Sequence, residues 1–494
     1  MTALRTARVL AGLLAGASLA LLSVPAVPAS KDVATALRQY EQHRYAEAAR
    51  SLRDHIPADG QNAQAWLALG MIYLKNAELH AELAAVAVDV QIDYLKKLAA
   101  RKGAGRSRAV DLYLGEALRD AGRPREAATH IARFRARPKQ DAGLAALAPV
   151  SLGLAQYQSR NTAAARATWA GVTSKAPEVR AALAAAYAIS GHNAKQAVAL
   201  ADDAAAARAN PGARMVKDLI AVYSRNGRID KALELADGAD LRAPSHVEGA
   251  GSGRVIHFYD LALLGELARL YAVAGLAALE RAAGDAAIKP TADYYLARGH
   301  AALGELDRAQ AAAERFLAVP DAPARFRDLA RIHQAGLTHR RGDTRGAMTV
   351  WQEYAGRGEP ELLAEVIAAC TGAGADCGAF LTRAAAAADA GQGRKFAPLN
   401  VAIGRAHLAR KEYAKALAYL EAGRDKSKKN KIEGNDPVML VGLAEAYYRT
   451  KQYSENLEIY FEMSKQFPAV RQIQEAMQGI YAVEHKSAGD VKIF

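Results

Sequence analysis

The chain has 494 residues, of which 51% are hydrophobic, 24% are charged and only 6% are aromatic, and its formal net charge is +13. This composition excludes wholesale disorder, and the length exceeds one compact core, so we expect several domains or an open-ended array. Much of the apolar share is alanine, which favours helices over strands, and two cysteines exclude a disulfide-dense scaffold, a four-cysteine zinc site and a ferredoxin-type cluster.

The N-terminal segment has the pattern of a secretory signal peptide. Arg5 and Arg8 precede an apolar run from Val9 to Leu22, and small residues follow up to Ala29. The run is shorter than the roughly 20 residues of a membrane span, and neither a lipobox cysteine nor a twin arginine is present. We predict a cleaved signal peptide at residues 1–29 and a mature chain that is periplasmic or otherwise exported. An uncleaved anchor and a buried helix stay open as alternatives.

A repeated motif begins with Trp66, Leu69, Gly70 and Tyr73, which have the spacing W-x2-L-G-x2-Y. This segment resembles the first helix of a tetratricopeptide repeat, a helix–turn–helix unit of about 34 residues. Further whole or partial copies follow along the chain, with small residues and turn glycines at matching places. They centre on Tyr40, Gly115, Gly153, Ala184, Leu219, Leu296, Gly342, Val366, Gly404 and Leu443.

The resemblance implies an all-α fold, a right-handed α-solenoid or superhelix of tetratricopeptide-like helical hairpins. A small residue in each helix lets the two helices of a hairpin touch, and the large apolar slots pack against the next unit. Because one hairpin cannot bury its apolar faces alone, about 11 legible units between residues 31 and 468 are expected to stack. A generic helical bundle is the alternative.

The repeat pattern is interrupted in several places. Residues 78–98 predict a long helix separate from the one at Trp66, and a long helix pair is predicted over residues 256–284. Acidic and basic residues interrupt the apolar stretch within that second segment, so we expect no transmembrane segment in the mature chain. The predicted division is 30–238 for an N-terminal array, 239–255 for a Gly-rich linker, 256–484 for a C-terminal array with a capping helix, and 485–494 for a tail.

The two cysteines, Cys370 and Cys377, are close in sequence. By the repeat alignment one ends a first helix and the other begins its partner, so a disulfide would join the two helices of one hairpin. Two free buried thiols, or a redox or metal role, are the alternatives. No C-x-x-C pattern supports thioredoxin-like chemistry.

Motifs for catalysis are weak. Gly249, Gly251 and Gly253 could suggest a phosphate-binding loop, but the flank is helical and Arg254 breaks the pattern, which favours a flexible linker. The histidines are scattered without an H-E-x-x-H motif, and no nucleophile elbow or Walker loop occurs. We therefore expect neither an enzyme nor a bound cofactor or metal.

Three basic clusters stand out: Lys96 to Arg108, Arg133 to Lys139, and Arg424 to Lys431. Such runs are commonly solvated helix ends and loops. The functional alternative is an anionic partner, such as lipid head groups, an acidic polysaccharide or an acidic protein. Aromatic residues are not interleaved with the clusters, so nucleic acid is not expected.

Proteins of the resembled family generally bind ligands in the concave face lined by first helices. The family's clamp for C-terminal carboxylates is not reproduced, since Ala221, Arg298 and Arg405 occupy the usual asparagine slot. The mostly cationic set suggests a groove for an extended acidic segment. The residues that correspond to face-lining slots are Lys217, Arg225, Arg298, Arg340, Arg405, Glu445, Tyr448 and Arg449.

These observations predict a non-enzymatic periplasmic scaffold that mediates protein–protein interactions in an envelope or export assembly, with partners that carry acidic segments. The alternative is a periplasmic component of an exopolysaccharide export system, with an anionic polysaccharide or membrane surface as partner. An enzyme is the third class, and it would need a convergent pocket of carboxylates or histidines.

Overall fold

The computed structural model describes residues 31–56, 62–100, 107–138, 140–208, 210–240, 243–248, 256–389, 396–425 and 434–484. The predicted signal peptide, the glycines at 249, 251 and 253, and the predicted tail lie outside these residues, as do residues 101–106 and 426–431 of the basic clusters.

The described residues are helical except for one short β-hairpin and the connecting turns. The helices before the hairpin are α1 (Lys31–Glu41), α2 (Tyr45–Arg53), α3 (Ala63–Ala99), α4 (Val110–Asp120), α5 (Pro124–Arg135), α6 (Ala142–Gln158), α7 (Thr162–Ala170), α8 (Pro177–Ser190), α9 (Ala194–Ala206), α10 (Ala213–Arg225) and α11 (Ile229–Gly238).

Two antiparallel strands follow, β1 (His246–Glu248) and β2 (Ile256–Phe258), with His246 opposite Phe258 and Glu248 opposite Ile256. The remaining helices are α12 (Ala262–Ala282), α13 (Lys289–Leu303), α14 (Leu306–Leu317), α15 (Ala324–Arg340), α16 (Thr344–Gly356), α17 (Pro360–Ala373), α18 (Gly378–Asp389), α19 (Ala397–Ala409), α20 (Tyr413–Gly423), α21 (Pro437–Arg449), α22 (Tyr453–Ser464) and α23 (Val470–Glu484).

The chain forms two compact units. The first comprises Leu83–Leu270 and the C-terminal segment from Phe467, and the second comprises the segment up to Glu82 and Tyr271–Gln466. The described residues of the predicted linker, 239–240 and 243–248, belong to the first unit.

The first unit is a series of helical hairpins: α4–α5, α6–α7, α8–α9 and α10–α11. Each helix packs against its hairpin partner, and each first helix packs against the first helix of the next hairpin. Small residues permit the close approach within a hairpin. A Cβ at Gly115 would lie 2.6 Å from the Ile131 side chain, and one at Gly153 would lie 2.2 Å from the indole nitrogen of Trp169. The slots recognised in the sequence are therefore the points where helices touch.

The second unit repeats this arrangement in α13–α14, α15–α16, α17–α18, α19–α20 and α21–α22, with α1–α2 as a further hairpin. Glycine supplies the left-handed backbone at two of its turns, with φ of 79° at Gly304 and 77° at Gly374. Both units thus consist of successive stacked hairpins. The prediction of an all-α solenoid of tetratricopeptide-like hairpins is confirmed.

The structure differs from the sequence prediction in two segments. Helix α3 is one continuous helix, whereas the sequence suggested separate helices at Trp66 and over residues 78–98. No glycine or proline lies between Tyr73 and Glu78 to end the helix, so it continues. The segment predicted as a long helix pair over residues 256–284 contains strand β2 and the single helix α12. The pairing of β2 with β1 was not predicted, because the helical pattern of residues 256–284 does not include the residues of β1.

Among the described residues, one helix, α12, is long and apolar enough to cross a membrane when judged by length and composition alone. Buried core helices pass the same test, and 72% of its apolar window is buried inside the protein.

Candidate functional site

In the first unit, the first helices carry a buried cluster of charges. Arg214 of α10 donates two hydrogen bonds to Glu116 of α4, at 2.9 Å from Nη1 to Oε1 and 2.8 Å from Nη2 to Oε2. The Ser151 hydroxyl of α6 donates to the same carboxylate at 2.6 Å, and the Arg214 guanidinium lies 4.8 Å from the centre of the Tyr113 ring. The cluster therefore joins the first helices of three hairpins.

The same cluster extends along α10. The Lys217 ammonium lies 2.7 Å from the Asp260 carboxylate and 3.5 Å from that of Asp218. Two turns further on, Arg225 donates two hydrogen bonds to Glu266, at 2.6 and 3.0 Å. The cations on this face of α10 are therefore matched by carboxylates of the same unit.

Burial and charge pairing shift the pKa values of the acidic side chains in this cluster in opposite directions. Burial alone would raise the pKa of Glu116, but its interactions with Arg214 outweigh burial and lower the pKa to about 2. Burial raises the pKa of Asp218 to about 6, and the nearby Lys217 only partly offsets that rise. Of these two acids, only Asp218 titrates near neutral pH.

In the second unit, α19 and the residue that caps α21 form ion pairs with α3. Lys75 of α3 lies 2.8 Å from Asp436, which caps α21, and 2.9 Å from Glu78. Arg405 of α19 forms a hydrogen-bonded ion pair with Glu82 and lies 3.6 Å from Glu78. Lysine and both glutamates share one stripe of α3, because residues three and four apart in a helix face the same way. Arg405 thus already has an acidic ligand within the chain.

A second buried group in this unit lies between α13, α15 and α17. The Nη1 atom of Arg298 lies 3.0 Å from Nε2 of His333 and 3.3 Å from the Tyr294 hydroxyl, and Glu365 lies 3.3 Å from the same Nε2. Burial, reinforced by Arg298, lowers the pKa of His333. The adjoining cavity measures about 20 Å³, which is room for a water molecule or two.

The predicted groove residues are placed as follows. Arg340 donates to the Ala301 carbonyl at 2.9 Å. Arg449 lies 3.7 Å from the Glu445 carboxylate and 5.5 Å from the Tyr448 ring, so these three form one group on α21. Lys217 and Arg225 share a face of α10, while Arg298 and Arg405 belong to the clusters described above. A partner groove formed by this set stays a prediction, and several of its cations are engaged inside the chain.

The structure joins Cys370, in the last turn of α17, to Cys377, just before α18, in a disulfide. Their Cα atoms are 6.0 Å apart, and both side chains are buried. This bond connects the two helices of a single hairpin.

Chemistry-bearing side chains do not converge elsewhere in the part of the chain that the structure describes. No group of three or more His, Cys, Asp or Glu residues there could hold a metal ion. The arrangement supports ion pairing and packing.

Three interactions that involve acidic residues could not be predicted from the sequence. Glu116 and Arg214 could have been noticed as opposite charges in otherwise apolar first helices, but nothing in the sequence pairs them. Glu78 and Glu82 lay in a segment without the repeat motif. Glu248 of β1 accepts hydrogen bonds from the backbone N–H groups of Arg108 and Ala109 at 3.2 and 2.7 Å, and so holds the two residues that precede α4.

The fold defines an all-α protein of stacked tetratricopeptide-like hairpins. No protein-family model matches the chain, and no curated protein matches it.

Among solved structures, the chain is similar to the Cut9–Hcn1 hetero-tetramer of APC/C (13% identity, 91% of this chain and 96% of that chain, TM-score 0.28). It is also similar to yeast Tom70 (12% identity, 92% of this chain and 94% of that chain, TM-score 0.30). A third similar structure is the TPR domain of P58(IPK) (12% identity, 85% of this chain and 98% of that chain, TM-score 0.19). Likenesses with TM-scores this low carry no argument about function, and the hairpins themselves define the class.

Proposed function

We propose that this protein is a non-enzymatic scaffold that holds protein partners in an envelope or export assembly. The observation that carries the proposal is the architecture itself. In each unit, successive hairpins pack first helix against first helix, and buried or half-buried charges on these helices form ion pairs such as Glu116–Arg214 and Glu82–Arg405. Stacked hairpins of this kind create extended surfaces suited to binding other macromolecules.

The proposed compartment is the periplasm. The signal-peptide pattern of residues 1–29 supports it, and so does the Cys370–Cys377 disulfide, because disulfides persist in oxidising compartments.

The test is to express the whole chain with a C-terminal tag in a Gram-negative host, separate periplasm from cytoplasm, and sequence the N-terminus of the purified protein. We expect a periplasmic product that begins near residue 30. Crosslinking in the native envelope, followed by affinity purification at two salt concentrations, should then recover defined protein partners. A cytoplasmic, uncleaved product would overturn the compartment, and recovery of no protein would overturn the scaffold function.

A role in exopolysaccharide export is the second candidate. The observation in its favour is a group of exposed arginines on α5 and α7, which could contact an anionic polymer. Binding of the purified protein to an acidic polysaccharide in preference to acidic protein would support this candidate.

A further inference from the structure

The outer helices of two neighbouring hairpins in the first unit carry a concentration of exposed positive charge. We call it the outer basic surface. It comprises Arg125, Arg133 and Arg135 of α5, Arg160 in the turn before α7, Arg166 of α7, and Lys175 shortly after α7, all of them exposed. In the described part of the chain no ion pair engages any of these six side chains.

The acidic residues nearest to this surface in sequence are already occupied. Glu126 accepts two hydrogen bonds from Arg123, at 2.7 and 2.5 Å. Asp141 caps α6 by accepting from the Leu144 N–H at 2.9 Å. Glu178 forms an ion pair with Arg208. Two of these three carboxylates are thus paired with other cations, and the third, Asp141, leaves a single negative charge against the six cations of the outer basic surface.

The next hairpins of the same unit behave differently. Asp202 of α9 lies 2.8 Å from Arg228 and 2.6 Å from Lys231, and Asp203 lies 3.4 Å from Arg180. Among the described residues, Lys195 is the one exposed cation of these two outer helices without an ion pair, against six at the outer basic surface.

The inner side of the unit also leaves little charge for a partner. Arg214, Lys217 and Arg225 are buried or half-buried and are matched by carboxylates of the unit. Reaching them would require separating buried ion pairs, which costs several kcal/mol. The accessible, unmatched charge of these hairpins lies on the outside.

We propose that the outer basic surface is a docking site for an acidic segment of a partner protein. This inference rests on the proposed scaffold function and names the surface and chemistry by which one partner is held. Five of the six cations are arginines, whose planar guanidinium groups bind carboxylates through two parallel hydrogen bonds. Carboxylates of Asp and Glu side chains in a partner protein would neutralise this surface.

The side chains between the arginines favour a polypeptide over the other anionic partners. Ala132 of α5, Ala136 directly after it, and Ala163 and Ala167 of α7 are exposed, so small residues leave room for a chain to lie close to the helices. The large apolar residues of both helices, such as Trp169, are buried. None is therefore available to insert into a membrane interface or to stack on a sugar or base.

The test uses the full mature chain and a fluorescein-labelled peptide of alternating Glu and Ser, with a second peptide in which Gln replaces every Glu. Fluorescence anisotropy is measured at low ionic strength and at about 0.15 M, where charges more than about 8 Å apart are screened. We expect the Glu peptide to bind, with an affinity that falls as salt rises, and the Gln peptide not to bind.

The double variant Arg133→Gln/Arg166→Gln should weaken binding of the Glu peptide by about fivefold or more, since each exposed charge pair contributes a modest increment. The matched control is Arg345→Gln/Arg383→Gln, which removes two exposed arginines from the outer helices α16 and α18 of the second unit. The control should bind as the wild type does. Equal loss in both variants would mean non-specific attraction to net charge and would overturn the proposal.

Two further probes separate the alternatives. If vesicles containing phosphatidylserine or the polysaccharide polygalacturonate bind through Arg133 and Arg166 while the Glu peptide does not, the assignment to protein is wrong. The envelope crosslinking experiment repeated with the double variant distinguishes the two proposals. Partners that are recovered equally with wild type and variant leave the scaffold function standing and overturn this docking site.

Discussion

Arg214 of α10 and Glu116 of α4 are 98 residues apart in sequence, yet they form a buried ion pair with two hydrogen bonds. Helices α6 and α8, the first helices of two intervening hairpins, separate them along the chain. The pair thus ties first helices of distant hairpins together within one unit, and it makes stability depend on pH.

The first prediction concerns acid unfolding. The folded-state pKa of Glu116 is about 2, below its ordinary value of 4.5, so its ionised form stabilises the fold above pH 4.5. That contribution, about 3 kcal/mol, should be lost as the pH falls from 4.5 through about 2. Urea unfolding at a series of pH values should show a steeper loss for wild type than for Glu116→Gln/Arg214→Met. Parallel pH profiles would contradict the prediction.

The second prediction concerns Asp218, whose pKa is raised by burial from 3.8 to about 6. The folded state favours the protonated form of Asp218. The protonated side chain therefore stabilises the fold fully below pH 3.8, and this stabilisation is lost as the pH rises through about 6. Asp218→Asn removes the cost of the buried charge and should be more stable than wild type by about 3 kcal/mol at pH 7.5. The difference, measured by urea unfolding, should shrink towards pH 4. A variant less stable than wild type at pH 7.5 would show that the pair with Lys217 dominates.

The third prediction separates a structural role of Arg405 from a role in partner binding. Arg405→Gln leaves Glu82 and Glu78 without their guanidinium partner, so we expect a loss of about 3 kcal/mol in unfolding free energy. Arg345→Gln, which changes an exposed arginine, serves as the control and should change stability little. The predicted groove would be favoured by a different result. In that case variants at Arg298 and Arg405 would be as stable as wild type but would bind partner proteins more weakly.

The fourth prediction tests a hairpin contact. In Gly153→Ala the new Cβ would lie 2.2 Å from Trp169 Nε1, so the helices α6 and α7 must move apart. The expected cost is about 2 kcal/mol from overpacking, seen as a lower urea midpoint. In Gly171→Ala the Cβ has no neighbour closer than 3.5 Å, and stability should stay close to that of wild type. Equal stability of both variants would show that the hairpin absorbs the extra carbon.

The fifth prediction concerns the disulfide. Closing the loop between Cys370 and Cys377 contributes about 2.5 kcal/mol through the entropy of the unfolded chain. Cys370→Ala/Cys377→Ala should therefore unfold at a lower urea concentration than wild type, and a reductant should destabilise wild type without affecting the variant. Insensitivity of the wild type to reductant would mean that the thiols are free in solution.

Much of the hairpin architecture could be predicted because its signals are local. Gly404 pairs with Leu420 across one hairpin, where a Cβ on the glycine would lie 2.6 Å from the leucine side chain. Gly404 is one of the repeat positions that the sequence spacing alone predicts. The spacing suffices because the two helices of a hairpin are joined by a short turn, so sequence distance determines which residues meet.

The candidate site was less accessible to sequence reasoning. Arg405 was assigned to a face lined by first helices, but its contact with Glu82 depends on where α3 lies in the folded unit. Helix α3 has no repeat motif beyond Tyr73, and its apolar residues point in several directions around the helix. Such a pattern indicates burial without indicating which helices cover it.

The sequence by itself determined that this protein is built of stacked helical hairpins, where each hairpin turns, and which residues allow its helices to touch. Only the tertiary structure decided which charges neutralise one another, and so which cations stay exposed for a partner. The reason is physical. Helical periodicity depends on residues a few positions apart, whereas an ion pair such as Glu116–Arg214 forms between residues that only the completed stack of hairpins brings within hydrogen-bonding distance.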